Sequence, residues 1–256
     1  MRRIAFLAYG WLAYLLLLGV YAYLIGFVTG LVVPKTIDGP LAAGGLWLAV
    51  LVNGLLLVTF GVQHSVMARP GFKRWWTRIV PEAIERSTYV MISNLLVILL
   101  IVYWMPMREV IWQLDARAAR CAIWAVGLAG WLLVPGASLL INHFDLFGLR
   151  QVWLYFKDEA YTHLPFRTPL LYRIVRHPLY VGWLLAFWAT PTMTAGHLMF
   201  AGAMTAYILI AIRFEERDLA KAYGESYETW RNRTGMLAPR PAGASAEPAA
   251  VAPCAE

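Results

Sequence analysis

Tyr172-Arg173-Ile174-Val175-Arg176-His177-Pro178-Leu179-Tyr180-Val181-Gly182-Trp183 opens a stretch that stays almost free of charge until Arg213-Phe214-Glu215-Glu216-Arg217-Asp218. Roughly 35 mostly apolar residues separate the two charged clusters, broken only by Thr190-Pro191-Thr192-Met193-Thr194-Ala195-Gly196. At about 1.5 Å rise per residue each half, about 18 residues, spans about 27 Å, close to one bilayer crossing. A helix that runs in, turns near Pro191 and Gly196 and runs back returns to the membrane face it left. This predicts that Arg176 and His177 end beside Glu215 and Glu216 at one rim. A cationic pair and an anionic pair at the mouth of an apolar hairpin suit a ligand carrying both charge signs. The same pattern also describes ordinary interfacial loop charges.

The whole composition agrees with a membrane setting. The 256 residues are 60% hydrophobic and only 14% charged, which lies outside the soluble globular range. The expected fold is an all-α integral membrane protein with five to six transmembrane helices, including the C-terminal helical hairpin, plus an amphipathic C-terminal helix on the cytoplasmic side. A single membrane domain over residues 1–237 is expected, followed by a disordered Pro/Ala/Gly/Ser tail at 238–256. The net charge of +7 comes from basic residues in loops between apolar runs, which matches positive-inside bias and argues against a nucleic-acid partner. Cys121 and Cys254 give neither a disulfide framework nor a metal spacing. No HExxH, CxxC, P-loop or GxGxxG motif is present, so metal hydrolysis, nucleotide hydrolysis and a Rossmann-type cofactor site have no support. Any cofactor must be held by helices and loops.

In chain order, Arg2-Arg3 precede an apolar run at 4–33, too long for a cleaved signal and read as a retained first span ended by Pro34-Lys35. The second span covers 41–62, with Asn53 expected to bond to a neighbouring helix. Gln63-His64-Ser65 follow where apolar helix gives way to loop, either as structural groups or facing inward. Trp75-Trp76 beside Lys73-Arg74 form an interfacial anchor. The third span, 88–105, contains Tyr89, Ser93 and Asn94, and a mixed-charge loop at 108–120 leads to the fourth, 121–141. There Gly127, Gly130, Pro135 and Gly136 permit close packing and a kink. Asn142-His143-Phe144-Asp145-Leu146-Phe147-Gly148 is the densest polar cluster abutting a span. It reads as a C-cap and turn, or as a place where Asn142 or His143 enters a substrate pocket. An amphipathic aromatic stretch at 151–167 is expected along the membrane surface, over the cofactor cavity. A charged amphipathic helix is expected at 214–230.

Charge counting gives the orientation. Of the 22 Lys and Arg residues, 18 fall on the side of the N-terminus, and only Lys35, Arg108, Arg117 and Arg120 fall on the other. This places both termini in the cytoplasm and requires an even number of crossings. Gln63-His64, Asn142-His143, Arg176-His177 and Glu215-Glu216 then all lie on the cytoplasmic side.

Arg176-His177-Pro178-x-Tyr180-x-Gly182, the apolar hairpin, Glu215-Glu216-x-x-Leu219 and Gly224-x-x-Tyr227 together resemble the isoprenylcysteine carboxyl methyltransferase and phospholipid methyltransferase group. These are integral membrane enzymes that use S-adenosylmethionine. The resemblance covers about 70 residues at the C-terminal end. Gly61-Val62-Gln63-His64-Ser65-Val66-Met67-Ala68-Arg69 and Asn142-His143-x-Asp145-x-Phe147-Gly148-Leu149-Arg150 are similar to one branch of that group. That branch holds the bacterial methanethiol S-methyltransferases and the related NnrU-type membrane proteins.

The resemblance implies a bacterial inner-membrane enzyme with S-adenosylmethionine as cosubstrate, no metal and no obligate protein partner. The cosubstrate would lie in the part spanning 142–237, against Tyr172, Arg176, His177, Pro178, Tyr180, Gly182, Glu215 and Glu216. Arg176 or His177 would hold its carboxylate, and Glu215 or Glu216 its ammonium or a ribose hydroxyl. One of those Glu residues would face the pocket; its neighbour, about 100° around the helix, would face elsewhere or pair with Arg213. Tyr180 would face the sulfonium. Gln63, Tyr89 and Asn142 would line the substrate side. A simple alkyl thiol is less acidic than cysteine, whose pKa is about 8.5, so a base helps form the thiolate, and His64 and His143 are the candidates. The implied reaction turns methanethiol, a small apolar thiol able to enter from the bilayer, into dimethyl sulfide. Alternatives are methylation of a prenylcysteine carboxylate, a phospholipid amine or another thiol, or a non-catalytic NnrU-type membrane protein. A transporter would carry ionisable residues at mid-membrane and paired broken helices in two halves, and the sequence shows neither.

Overall fold

The computed structural model describes residues 1–40, 45–162 and 164–240. The expected start of the second span at 41–44 and the expected disordered tail from 241 onward, with Cys254, lie outside the described residues. In order, the helices are α1 (Arg2–Thr29), α2 (Gly45–Ala68), α3 (Pro70–Trp76), α4 (Glu82–Tyr103), α5 (Arg117–Ile141), α6 (His143–Leu146), α7 (Leu149–Lys157), α8 (Pro178–Trp188), α9 (Ala195–Tyr223) and α10 (Glu225–Arg233). Among the described residues α1, α2, α4, α5 and α9 are long and apolar enough to cross a membrane, and α8 is a shorter apolar helix. The chain is an all-α integral membrane protein.

The interior is built from Leu24, Phe27, Leu57, Leu100, Trp131, Phe187 and Phe200, drawn from all six apolar helices, with Trp104 just after α4, and is packed edge to face in several pairs. Leu12, Leu55, Leu128 and Leu132 point outward, as expected where the surrounding solvent is hydrocarbon. Asn53 donates to Met105 O at 2.7 Å and accepts from Met105 N at 2.9 Å, tying α2 to the end of α4. Helices α5 and α8 touch backbone to backbone. A Cβ on Gly130 would stand 2.5 Å from Ala186 N, and one on Gly182 would stand 3.0 Å from Gly130 O. The close approach at Gly182 is therefore to α5. Pro135 lies inside α5 and cannot donate to Trp131 O; the Tyr21 hydroxyl on α1 donates to that carbonyl at 2.5 Å.

Several boundaries differ from the sequence expectation. Helix α1 ends at Thr29 because Gly30 takes a left-handed conformation (φ 74) and its N–H returns to Gly26 O; Pro34 is not the terminator. The first arm of the hairpin is not an 18-residue helix: α8 has 11 residues, about 16 Å. Beyond it, Thr192–Thr194 form a strand, β2, antiparallel to β1 (Val110–Gln113), which lies inside the expected mixed-charge loop. Pro191 lacks an N–H and the threonines are β-branched, so this segment leaves the helix. Thr194 Oγ1 then caps α9 by accepting from His197 N at 3.1 Å. Helix α9 continues to Tyr223, and Gly224 (φ 53) separates it from α10, so no single helix covers 214–230. Of the stretch 151–167, helix persists only to Lys157 and stops at Asp158, also left-handed (φ 67).

Candidate active site

The hairpin brings the two charged clusters together. Arg176 Nε donates to Glu216 Oε1 at 2.7 Å, and His177 Nε2 lies 3.0 Å from the same oxygen. The Tyr180 hydroxyl, one turn into α8, donates to Glu215 Oε2 at 2.9 Å. Both glutamates therefore face the start of α8. The expectation that one turns away or pairs with Arg213 is corrected, because Tyr180 is long enough to reach the second carboxylate. Arg176 also donates to Arg231 O at 3.1 Å and Thr234 O at 2.6 Å. Its backbone N–H bonds Gly235 O at 2.8 Å, and that of His177 bonds Met236 O at 3.2 Å. The chain after α10 thus pins the Arg176-His177 turn against α9, and most of the guanidinium is engaged in that clasp.

Pro178 occupies the first turn of α8 and is buried, where a missing N–H costs nothing. Tyr172 is buried, with its hydroxyl 3.4 Å from Ala137 O on α5. Burial, and secondarily the Glu215 charge, push its pKa above the ordinary tyrosine value. The Tyr227 hydroxyl is buried without a hydrogen-bond partner among the described residues, within electrostatic reach of Glu216 and Arg176. A groove of 530 Å³ opens beside Glu216, lined by Arg213, Arg217, Ala220, Lys221 and Arg231. A cationic groove beside the Glu216 carboxylate fits a ligand of mixed charge.

A second cluster joins α2, α4 and α9. His64 Nδ1 lies 3.1 Å from Ser93 Oγ, which bonds Gln63 Oε1 at 3.3 Å. The Tyr89 ring stands 4.9 Å from the His64 ring, its hydroxyl 3.4 Å from His64 O, and Tyr207 of α9 is edge-on at 6.0 Å. The third cluster contains His143 with Asn142, the extended residue (φ 179) between α5 and α6. His143 Nδ1 lies 2.8 Å from Ser138 Oγ, whose hydroxyl is 2.8 Å from Pro135 O. Ser138 therefore gives its proton to the carbonyl and accepts Nδ1–H, which leaves Nε2 to accept from the Tyr14 hydroxyl at 2.8 Å. Burial lowers the His143 pKa below its ordinary value, so the ring is neutral near pH 7.

All three clusters lie at the end of the bundle where α1 and α4 begin and α9 ends. The Tyr172–Ala137 contact joins the rim to α5, and Arg69, between α2 and α3, pairs with Asp218 of α9 at 2.8 Å. Tyr14, Ser138 and Tyr207 were not singled out from sequence. Tyr14 and Tyr207 are polar interruptions in apolar runs, the signal that drew attention to Asn53. Among the described residues no three His, Cys, Asp or Glu side chains gather as a metal site.

Fold and site together define a polytopic helical membrane protein with a polar, mixed-charge site at one end of its bundle. The chain belongs to the NnrU protein family, whose model matches residues 50–250. It is 51% identical over 241 residues to a methanethiol S-methyltransferase of Mycobacterium tuberculosis (strain ATCC 25618 / H37Rv), covering 94% of this chain and 98% of that one. It is 50% identical over 240 residues to methanethiol S-methyltransferase 2 of Bradyrhizobium diazoefficiens, covering 93% and 91%. A more distant relative, nurim of Pan troglodytes, is 32% identical over 203 residues, 71% of this chain and 75% of that one. No solved structure matches the chain.

Proposed function

We propose that this protein is a membrane thiol S-methyltransferase that uses S-adenosylmethionine to convert methanethiol into dimethyl sulfide. The observation that carries this is the likeness, at about half identity over more than nine-tenths of the chain, to proteins named methanethiol S-methyltransferase. The 18-to-4 distribution of basic residues supports a cytoplasmic site and cytoplasmic termini in a bacterial inner membrane. Residues 142–237 form most of the cosubstrate side.

S-adenosylmethionine supplies an electrophilic methyl group on a sulfonium. In the reaction one S–C bond forms at the thiol sulfur, one breaks at the sulfonium, and the thiol proton needs an acceptor. In this reading Glu215 and Tyr180 bind hydroxyl or cationic parts of the donor, and Arg176 with His177 fixes Glu216 beside them. His143 is the better-placed base of the two candidates, because its Nε2 faces the Tyr14 hydroxyl. The thiol proton passes to Tyr14 oxygen as the Tyr14 proton moves to Nε2. Trp11 and Phe144, both exposed on the lipid-facing surface, flank Tyr14, giving an apolar thiol a route from the bilayer. His64 is enclosed by Phe60, Tyr89 and Tyr207 and serves as the second candidate. Alignment in a desolvated site provides the acceleration.

The test uses purified protein in detergent with methyl-labelled S-adenosylmethionine and methanethiol, following labelled dimethyl sulfide in the headspace. His177→Ala, Glu216→Ala and His143→Gln run alongside. Labelled product made by the wild type and lost in these variants supports enzyme and site together. Folded wild-type protein that neither makes product nor binds the cosubstrate refutes the reading.

A further inference from the structure

Helix α9 carries three basic residues on one face where its apolar run ends. Arg213, Arg217 and Lys221 stand at i, i+4 and i+8, spread over about 12 Å. All three are exposed, and none forms an ion pair or hydrogen bond among the described residues. Like charges at this spacing repel and weaken a helix. The neighbouring acids do not relieve them: Glu215 is taken by Tyr180, Glu216 by Arg176 and His177, and Asp218 by Arg69.

This row borders the 530 Å³ groove, whose other lining residues are Glu216, Ala220 and Arg231. Arg231 belongs to α10, and the Arg176 guanidinium holds its backbone in place by donating to Arg231 O at 3.1 Å. Its side chain pairs with Glu228 at 2.7 Å. Glu216 is the one carboxylate of the groove and is already shared by Arg176 and His177, so the charge left unmatched is cationic. The row also lies apart from the Glu215–Tyr180 contact. Glu215 is two positions from both Arg213 and Arg217, about 160° around the helix.

Toward the bilayer the same face of α9 is exposed and apolar: Ala206, Leu209 and Ile210 precede Arg213 by seven, four and three positions. A ligand that covers the whole face has an apolar tail beside a negative head. We propose that the groove binds an anionic phospholipid, with its phosphate on Arg213, Arg217 and Lys221 and an acyl chain along Leu209 and Ile210. The phosphate oxygens accept from the free guanidinium and ammonium groups, and basic clefts at the ends of membrane helices suit such headgroups. Seated between α9 and α10, the lipid draws together the two segments that the Arg176 clasp joins. This site is independent of the methyltransferase reading.

Thermal unfolding of the purified full chain in a neutral detergent tests this, with dioleoylphosphatidylglycerol, dioleoylphosphatidylcholine or inorganic phosphate added. The two lipids share acyl chains and a phosphate, but only the first carries a net negative charge. Phosphatidylglycerol should raise the midpoint about 5 °C more than phosphatidylcholine, the shift expected for a ligand at about 100 times its Kd on a chain of this size. Inorganic phosphate should not reproduce it. Arg217→Gln with Lys221→Gln should lose that difference. Arg74→Gln with Arg78→Gln, which removes equal exposed charge from α3 and the turn after it, should keep it. Equal midpoints in the two lipids overturn the proposal on the wild type alone, whatever becomes of the variants. A shift reproduced by inorganic phosphate assigns the groove to a soluble anion and overturns the lipid. A difference that survives in the folded groove variant, or is lost equally from both double variants, means diffuse surface attraction and overturns the site.

Discussion

Replacing Gly130 by alanine tests whether the α5–α8 contact sets the geometry of the site. The new Cβ would stand 2.5 Å from Ala186 N and 2.8 Å from both Gly182 O and Leu185 Cβ, where ordinary contact begins near 3.4 Å. Helix α8 must therefore retreat by about 0.9 Å, the difference between 3.4 and 2.5 Å. Two of the three obstructing atoms are backbone, so no rotamer change relieves the clash. Overpacking of this kind costs about 1–3 kcal/mol. Gly136→Ala is the control, since its Cβ would meet nothing within 4 Å in the same helix. Both variants gain the same helix propensity, about 1 kcal/mol, so it cancels between them and the overpacking term remains as their difference. Unfolding in detergent measures that difference. Pro178 and Tyr180 lie one to two turns from the contact, and a misplacement of about 1 Å can cost about 100-fold in rate. Dimethyl sulfide formation should fall steeply in Gly130→Ala and persist in Gly136→Ala. A Gly130→Ala protein as stable and active as Gly136→Ala would show that the close approach positions nothing.

Glu216→Gln keeps the shape of the clasp but removes the charge shared by Arg176 and His177; with those side chains only 13% and 5% exposed, solvent replaces little of it. The expected loss is about 2 kcal/mol, read by chemical denaturation, and Asp at the same position should not restore it because it is one methylene short. The His143 pKa is depressed in the folded protein, so its contribution to stability is fully present above the unfolded value of about 6.5 and is lost as pH falls through the lower folded value. Melting in detergent from pH 8 to 5 should show this acid loss in the wild type and less of it in His143→Gln. In Tyr14→Phe the oxygen that relays the proton to Nε2 is gone, so dimethyl sulfide formation should fall steeply; undiminished formation would exclude the Tyr14–His143 relay. Tyr21→Phe leaves the Trp131 carbonyl without the donor that Pro135 cannot supply, and should destabilise by about 1–3 kcal/mol, a loss visible as earlier unfolding with the helix content of the native state unchanged.

The spans were legible because long apolar runs bounded by charge have one stable form in a bilayer, in which the helix satisfies its own backbone. The convergence of Arg176-His177 with Glu215-Glu216 was legible for the same reason, since a hairpin returns to its starting face. The use of both glutamates was not, because angular spacing on α9 says nothing about the reach of Tyr180 from α8. Strand β1 was hidden, as Val110-Ile111-Trp112-Gln113 is too short to show a period and has meaning only through its pairing with Thr192–Thr194. The partners of His143 were equally hidden: Tyr14 is 129 positions away in the chain, and only packing of α1 against α4 and α7 brings it near.

The rim pairing came out as expected even though the length of the first hairpin arm did not, and the reason lies in rise per residue. Helix α8 supplies about 16 Å from its 11 residues. The six residues at 189–194, of which Thr192–Thr194 are strand, supply at most about 20 Å at about 3.3 Å each. Helix α9 needs about 22 residues, or about 33 Å, to return from Ala195 to Glu216. The short helix and the extended link together therefore nearly match the returning helix, and His177 meets Glu216 at 3.0 Å. The strand pair is thus a spacer that sets the register of the site from the far end of the bundle. Its hydrogen bonds to β1, and those from Ala195 N to Glu109 O at 2.7 Å and Gly196 N to Met107 O at 2.9 Å, hold that spacer fixed. Each residue gained or lost there would shift the rim by about 3.3 Å, more than the whole length of the His177–Glu216 bond, whereas the same change in an interfacial loop would leave the clasp unaltered.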